Sequence, residues 1–369
     1  MNMREYFIPK TEFNFFDIAR AYGLGIVAYA LSDESDVTVE DIGFAYKITV
    51  GEELNIGNTE EIQRYLPSQD SPSGQYWEYV LKTSNIKNKL KQEVKNFFKD
   101  PKNVKGILEK HSNIENIAWV FNSSTKGKKK PKKKEKALSL PQSLELGAGK
   151  GIRATIPSTL TEKGLELPPE NKDQLYLAIL GALNASVYSF HHSGSTTYTY
   201  IVYPLPGKVD VEFITTRAIT NELRKALANS HKAGLFPTLA YIAVEMEMAK
   251  RSSFLEEPTL VPSLIYGVMA KSPQAKDKPY STGRFPLELV SKVPSEVLSF
   301  WRNILRRSDR KGYEDIAMAL SKFMAEPTLE NYYSYIRLHL RNELRSNSIK
   351  FGAYDADPLL EVLKNVGIS

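Results

Sequence analysis

The chain has 369 residues, 42% of them hydrophobic, and it contains no cysteine. A chain of this length can bury sizeable hydrophobic cores in two or three domains. The absence of cysteine excludes disulfides, thiolate metal sites, iron–sulfur clusters and cysteine nucleophiles. The N-terminus lacks the apolar core of a signal peptide, and the longest nearly apolar run, Ala21 to Leu31, is shorter than the roughly 20 residues of a membrane helix. We therefore expect a soluble, cytoplasmic protein with no membrane partner.

The net charge of +6 comes from one short segment. Residues 126–136 read KGKKKPKKKEK and carry a charge of +7, so the rest of the chain sums to about −1. A dense lysine run attracts a polyanion such as a nucleic-acid backbone without reading its sequence. Two other interpretations remain open, namely a solvated linker and a nuclear localisation signal. The predicted phosphate-contacting lysines are Lys126, Lys128, Lys129, Lys130, Lys132, Lys133, Lys134 and Lys136.

Residues 1–121 are predicted to form an N-terminal α+β region. A helix can begin at Asn14 or Asp17, and two strand-like stretches follow at Val37–Ile42 and Phe44–Val50. Ile86–Asp100 has the spacing of an amphipathic helix. The composition therefore favours small sheets combined with helices in this region.

Residues 122–169 give the weakest folding signal and are predicted to be a lysine-rich inserted loop with a domain boundary inside or beside it. Within it, Gly147–Gly151 (GAGKG) resembles part of a phosphate-binding loop. The full pattern needs an earlier glycine where Leu144 stands and a hydroxyl residue directly after Lys150. A glycine-rich turn is therefore the favoured interpretation, and we expect no cofactor.

Residues 170–285 are predicted to be a second α+β region. The helix Asn171–Ser186 opens it, and alternating residues in Thr196–Tyr203 and Lys208–Thr215 suggest a β-hairpin turned by the prolines between them. Further helices are predicted at Thr216–Ser230 and Pro237–Phe254, whereas Thr259–Met269 fits a strand or a buried helix equally well.

Residues 286–369 are almost entirely helical in pattern, which predicts a C-terminal helical bundle. The expected helices are Pro294–Arg307, Lys311–Met324, Leu329–Asn347 and Pro358–Val366. Together the regions predict a helix-rich α+β protein.

One grouping could support catalysis, as a metal-dependent nuclease. His191 or His192 could join Asp210 and Glu212, which would share one face of the predicted hairpin strand. The same alternation is typical of the solvent face of an ordinary strand, so we expect neither a metal site nor an enzyme.

The C-terminal helices carry the more informative pattern. Leu329, Tyr333, Ile336, Leu340 and Leu344 form a predicted core stripe, and arginines recur at i, i+4 and i+8 beside it. Two arginine rows could line a groove for a phosphate backbone, with Tyr332 and Tyr335 available for stacking; ordinary solvated helix faces are the alternative. The candidate contacts are Arg302, Arg306, Arg307, Arg310, Lys311, Arg337, Arg341, Arg345 and, in the predicted loop 280–284, Arg284.

Several stretches resemble one protein family. The opening 14–25 (NFFDIARAYGLG), the segment 203–207 (YPLPG), the helix 238–252 and the following PYSTGRFPLELV are similar to the large subunit of archaeal type I-A CRISPR effector complexes (Cascade). The resemblance implies a non-catalytic subunit that contacts target DNA and its flanking motif, near the 5′ end of the guide RNA. It further implies the backbone and small subunits and the helicase-nuclease as partners. A structural adaptor, whose lysine run is only a linker, is the remaining alternative.

Overall fold

A computed structural model describes residues 3–11, 13–33, 36–67, 87–114, 138–141, 143–144, 166–167, 171–215, 234–252, 259–273, 278–310 and 312–346. The fold is helix-rich α+β, as the sequence predicts. The strands are β1 (Arg4–Pro9), β2 (Val37–Asp41), β3 (Ala45–Val50), β4 (Leu138–Ser139), β5 (Glu166–Leu167), β6 (Val187–Ser193), β7 (Thr196–Pro204), β8 (Lys208–Asp210), β9 (Ser263–Lys271) and β10 (Lys278–Pro286).

Helices occupy most of the remaining described chain. They are α1 (Asn14–Leu31), α2 (Thr59–Gln63), α3 (Lys87–Lys99), α4 (Pro101–His111), α5 (Lys172–Ala185), α6 (Val211–Thr215), α7 (Leu235–Ser252), α8 (Glu288–Lys292), α9 (Ser295–Arg306), α10 (Glu314–Ala325) and α11 (Leu329–Ser346). In this part of the chain, no helix combines the length and the hydropathy that crossing a bilayer requires.

Two antiparallel four-stranded sheets organise the molecule. The first sheet has the order β1-β3-β2-β8 and the second has the order β10-β9-β7-β6. Strand β8 comes from the second predicted region but pairs with β2 of the first, with Val39 opposite Val209. The two predicted α+β regions therefore share a sheet, and a domain boundary inside or beside 122–169 stays a prediction.

Helix α1 forms the centre of the core, where every residue from Phe15 to Leu31 is buried. It packs closely on α5 because glycines stand at the contact. A Cβ on Gly23 would lie 2.0 Å from the carbonyl oxygen of Leu177, and one on Gly181 would lie 1.9 Å from that of Ala19. Both distances are shorter than any real contact, so the two backbones meet only because these residues have no side chain.

The predicted β-hairpin between residues 196 and 215 is wrong. Strand β7 pairs with β6 and β9, whereas β8 crosses to the first sheet and ends at Asp210. There the Asp210 carboxylate accepts a 2.7 Å hydrogen bond from the backbone N–H of Glu212, which starts the short helix α6. Because the Asp210 carboxylate bonds to the backbone of the following helix, the chain turns into α6 and does not continue pairing as a strand.

Of the remaining predicted elements, some are confirmed and others are corrected by the structure. The helices at 14–31, 87–99, 172–185 and 235–252 and the strands β2 and β3 are confirmed, while β1 and β6 were missed. The ambiguous stretch 259–269 leads into strand β9, and the predicted loop 280–284 lies within strand β10. The helices predicted at 216–230 and 358–366 lie outside the described residues.

Three C-terminal helices were predicted correctly, and they pack around aromatic side chains. The ring of Phe323 on α10 lies 6.3 Å from that of Trp301 on α9 and 5.4 Å from that of Tyr332 on α11. Their buried apolar residues are continuous with those beneath the two sheets.

Candidate nucleic-acid interface

The orientation of α11 differs from the predicted one. Its buried positions are Tyr332, Tyr335 and His339, whereas Tyr333 is 63% exposed and Leu340 41% exposed. Leu329, Tyr333 and Leu340 of the predicted core stripe are therefore exposed, whereas Ile336 is partly buried against the core and the side chain of Leu344 lies outside the described residues. The two tyrosines expected to stack on bases are part of the core. Because one residue turns a helix by about 100°, a one-residue error in phase moves the buried stripe by slightly more than a quarter of the circumference.

The rotated helix presents an aromatic ring and two cations on its outer surface. Tyr333, Arg337 and Arg341 follow one another at i, i+4 and i+8, and all three are exposed. Residues four apart lie about 5–6 Å from each other on a helix. In the described part of the chain, neither Arg337 nor Arg341 pairs with a carboxylate, so both guanidinium groups can reach a phosphate. The side chain of Arg345 lies outside the described residues.

The row formed by Arg302 and Arg306 faces a different neighbour. The Arg302 guanidinium forms an ion pair with Glu245 on α7. Burial raises the pKa of Tyr241, also on α7, to about 12, and the charges of Arg302 and Arg306 oppose this rise. The hydrogen bond from Arg302 to Glu245 raises the pKa of Arg302 itself. These interactions place the row along α7.

The predicted groove between the two arginine rows is therefore not formed. The Phe300 ring on α9 lies 5.3 Å from that of His339 on α11. Arg302 lies about 200° around the helix from Phe300. Arg302 therefore lies on the side of α9 away from Phe300, and within the two rows only Arg302 forms an ion pair with a described residue.

The remaining candidates are dispersed. The guanidinium of Arg307 lies 5.9 Å from the ring centre of Tyr313, and Arg310 is exposed at the end of the same turn. Arg284 is exposed on β10 and not in a loop; its charge opposes the burial-driven rise in the pKa of Tyr46 in the first sheet. The lysine run 126–136, Lys311 and the glycine-rich segment 147–151 lie outside the described residues.

The nuclease grouping is not assembled. His192 is exposed on β6 in the second sheet and shares a 3.1 Å hydrogen bond with Thr197. Asp210 is buried at the end of β8 in the first sheet, and Glu212 belongs to α6. Across the described ranges, no three histidine or carboxylate side chains come together in a way that could hold a metal ion.

The residues that carry the family resemblance at positions 14–25 are structural. Asp17 and Arg20 are fully buried and form a 2.6 Å ion pair. The same guanidinium donates to the carbonyl of Pro9 at 2.7 Å and to Gln174 at 2.8 Å. Together with Gly23 at the α1–α5 contact, they show that these residues of the segment pack and hydrogen-bond in the core.

A buried histidine completes this network. Gln174 Nε2 lies 3.0 Å from His111 Nε2, and His111 Nδ1 lies 2.7 Å from the carbonyl oxygen of Phe7. The carbonyl can only accept, so Nδ1 carries the proton and Nε2 accepts from Gln174. Burial lowers the pKa of His111 to about 4, with the nearby Arg20 charge acting in the same direction, so the ring is neutral.

These features define a helix-rich α+β protein with an exposed arginine and tyrosine row on its last described helix. No family model matches the chain. It is 32% identical to an uncharacterized protein of Archaeoglobus fulgidus, over 99% of this chain and 99% of that protein. The chain therefore belongs to the same family as this archaeal protein.

Proposed function

We propose that the protein is a non-catalytic nucleic-acid-binding large subunit of a type I CRISPR surveillance complex, acting in the cytoplasm. Its ligands would be target DNA with its flanking motif and the guide RNA. Its protein partners would be the backbone and small subunits and the helicase-nuclease. The family resemblance in the sequence motivates the particular complex, whereas the residues supply the physical case for a nucleic acid.

The observation that carries the proposal is the α11 row. Tyr333 offers an exposed ring, and Arg337 and Arg341 offer two guanidinium groups with no carboxylate partner among the described residues. Arginine binds phosphate through two parallel hydrogen bonds, and an exposed ring can stack on a base. The lysine run adds charge that reads no sequence, which suits a complex in which guide pairing selects the target.

The test is binding of duplex, single-stranded and bubbled DNA over a salt series, with wild-type protein and the double variant Arg337→Glu/Arg341→Glu. If both arginines contact phosphate, the slope of log K against log salt becomes less steep by about 1.8 for duplex and about 1.4 for single strands. The matched control is Lys102→Glu/Lys105→Glu, since these lysines are exposed on α4 and their reversal changes the net charge equally.

Equal slopes for the α11 variant and the control would contradict a role for this helix. Isolation of the wild-type chain from its native cells supplies a second test. Co-purification of a small RNA with neighbouring subunits is expected of the proposed complex, whereas neighbouring proteins without RNA would indicate a structural adaptor.

A further inference from the structure

The second sheet has an unusual charge composition. None of its four strands, β6, β7, β9 and β10, contains an aspartate or a glutamate. Lys271 and Arg284 are its described cations with solvent exposure, and neither pairs with a carboxylate among the described residues. The connection 272–277 adds one acid, Asp277, and one lysine, Lys276. A sheet whose strands carry no carboxylate does not repel an anionic partner.

Tyrosines cluster on one face of this sheet. Tyr198 on β7 stands opposite Ala270 on β9, so the two residues share a face. The pairing of β9 with β10 shifts register between Pro279 and Ser281, which leaves Tyr280 as the extra residue of a bulge. A bulge redirects the side chain it carries. The Tyr280 ring thereby reaches that of Tyr198, with centroids 5.5 Å apart and planes at 74°.

The two rings meet across the intervening strand. Strands β10 and β7 are two spacings apart, about 10 Å, so the rings can touch only above a small residue. Ala270, which pairs with Tyr198, is the small β9 residue at this position. Tyr280 is 69% exposed, while Tyr198 is half-buried and Tyr200 behind it is buried. The two rings thus form an aromatic surface that rests on the buried Tyr200 and is exposed to solvent on its outer side.

The surroundings distinguish a base from a protein side chain as the occupant. Tyr280 is the one exposed large apolar residue in the described part of this sheet. A protein-binding hot spot is normally enclosed by further apolar contacts. On this face the neighbours are the hydroxyl residues Thr196 and Ser281, whereas Lys271 pairs with Thr197 and lies on the opposite face.

From this juxtaposition we propose that Tyr198 and Tyr280 form a stacking platform for an unpaired base of single-stranded nucleic acid. The inference rests on the proposed nucleic-acid-binding function but concerns a surface separate from α11. Stacking requires an exposed base face, so the platform selects single strands over intact duplex.

The test uses the full-length chain and a 12-nucleotide single strand carrying one 2-aminopurine, whose fluorescence falls when it stacks. Wild type is expected to quench the probe. Tyr280→Ala should abolish the quenching and weaken single-strand binding about 5- to 100-fold, with duplex binding unchanged. Tyr280→Phe should behave as wild type.

The control is Phe44→Ala, which removes an equally exposed ring, 67% exposed, from the turn between β2 and β3 of the other sheet. If Tyr280→Ala binds and quenches as wild type does while the α11 variant is weakened, the platform is refuted and the proposed function stands. If wild type binds neither duplex nor single strands, both are refuted.

Discussion

At the scale of single residues, the buried polar network joins four elements of the fold. Arg20, Asp17, Gln174 and His111 come from α1, α5 and α4, and the carbonyl groups of Phe7 and Pro9 tie them to β1. Removing one member would leave a buried charge or polar group without its partner, which is far more costly than losing an exposed ion pair. The network consequently specifies how these elements meet.

We predict that His111 makes the protein less stable as the pH falls. Its folded pKa of about 4 is below the unfolded value near 6.5, so between these values the unfolded chain binds the additional proton. Stability is full above pH 6.5 and decreases toward pH 4 by up to roughly 3 kcal/mol. Urea unfolding of wild type and His111→Gln at several pH values measures this. The variant should be weaker at pH 8 but lose less on acidification.

Asp210 provides a control of opposite sign. Burial raises its pKa to about 6, above the unfolded value near 4, so the folded state binds the proton first and gains stability as the pH falls through 6. Asp210→Asn should therefore lose stability more steeply than wild type between pH 6 and 4. Parallel pH profiles for wild type and His111→Gln would contradict the assignment.

At the scale of elements, the α1–α5 contact depends on two glycines rather than on side-chain interdigitation. Gly181→Ala should destabilise the protein by about 1–3 kcal/mol, because its methyl group would overlap the backbone of Ala19. The matched control is Gly106→Ala on α4, where the added Cβ meets no atom within 4 Å. That variant should gain about 0.5–1 kcal/mol from helix propensity.

Thermal and urea unfolding of the two variants would measure the difference. Equal stability of Gly181→Ala and wild type would mean that α1 and α5 can separate without cost. The strand β8 illustrates the same dependence on residues distant in sequence, because its pairing with β2 links positions about 170 residues apart in the chain.

At the scale of the whole molecule, charge is distributed very unevenly. A segment of +7 is attached to a remainder of about −1, so the long-range attraction to a polyanion depends mainly on residues 126–136. We predict that replacing the eight lysines by serine weakens DNA binding and flattens the salt slope, by about 0.9 for each duplex phosphate that the lysines neutralise in the wild type. Replacement by arginine keeps the charge and should keep the slope.

Both variants retain the segment's length, so they separate its charge from its role as a connection. Binding isotherms over a salt series provide the measurement. If the serine variant has the wild-type slope, the lysine run touches no phosphate, and the α11 row and the sheet would have to account for binding without it.

Much of the fold was predictable because local patterns were strong. The apolar run of α1, the amphipathic spacing of α3 and the alternation of β3 each predicted their element, since a helix or strand buries residues at its own period. The hairpin prediction failed because alternation does not specify which strand is the partner, and Asp210 ends β8 after three residues.

The candidate site was only partly predictable, for a related reason. Helix α11 has apolar residues around much of its circumference. Two alternative choices of the buried face, one residue apart in phase, were therefore compatible with its pattern. Packing of Tyr332 and Tyr335 against Phe323 selects one of them and turns Tyr333, Arg337 and Arg341 outward. The predicted arginines were thus found, but with a different aromatic neighbour and without the groove.

The sequence by itself determined the composition-level properties: a helix-rich α+β chain without thiol chemistry, and a positive charge concentrated in one segment. These follow from residue types and local periods, which need no partner in space. Only the tertiary structure decided that Arg302 is paired with Glu245, that Asp17 and Arg20 are buried, and that Tyr280 meets Tyr198. Those outcomes depend on contacts between residues far apart in the chain, and local sequence patterns do not specify such contacts.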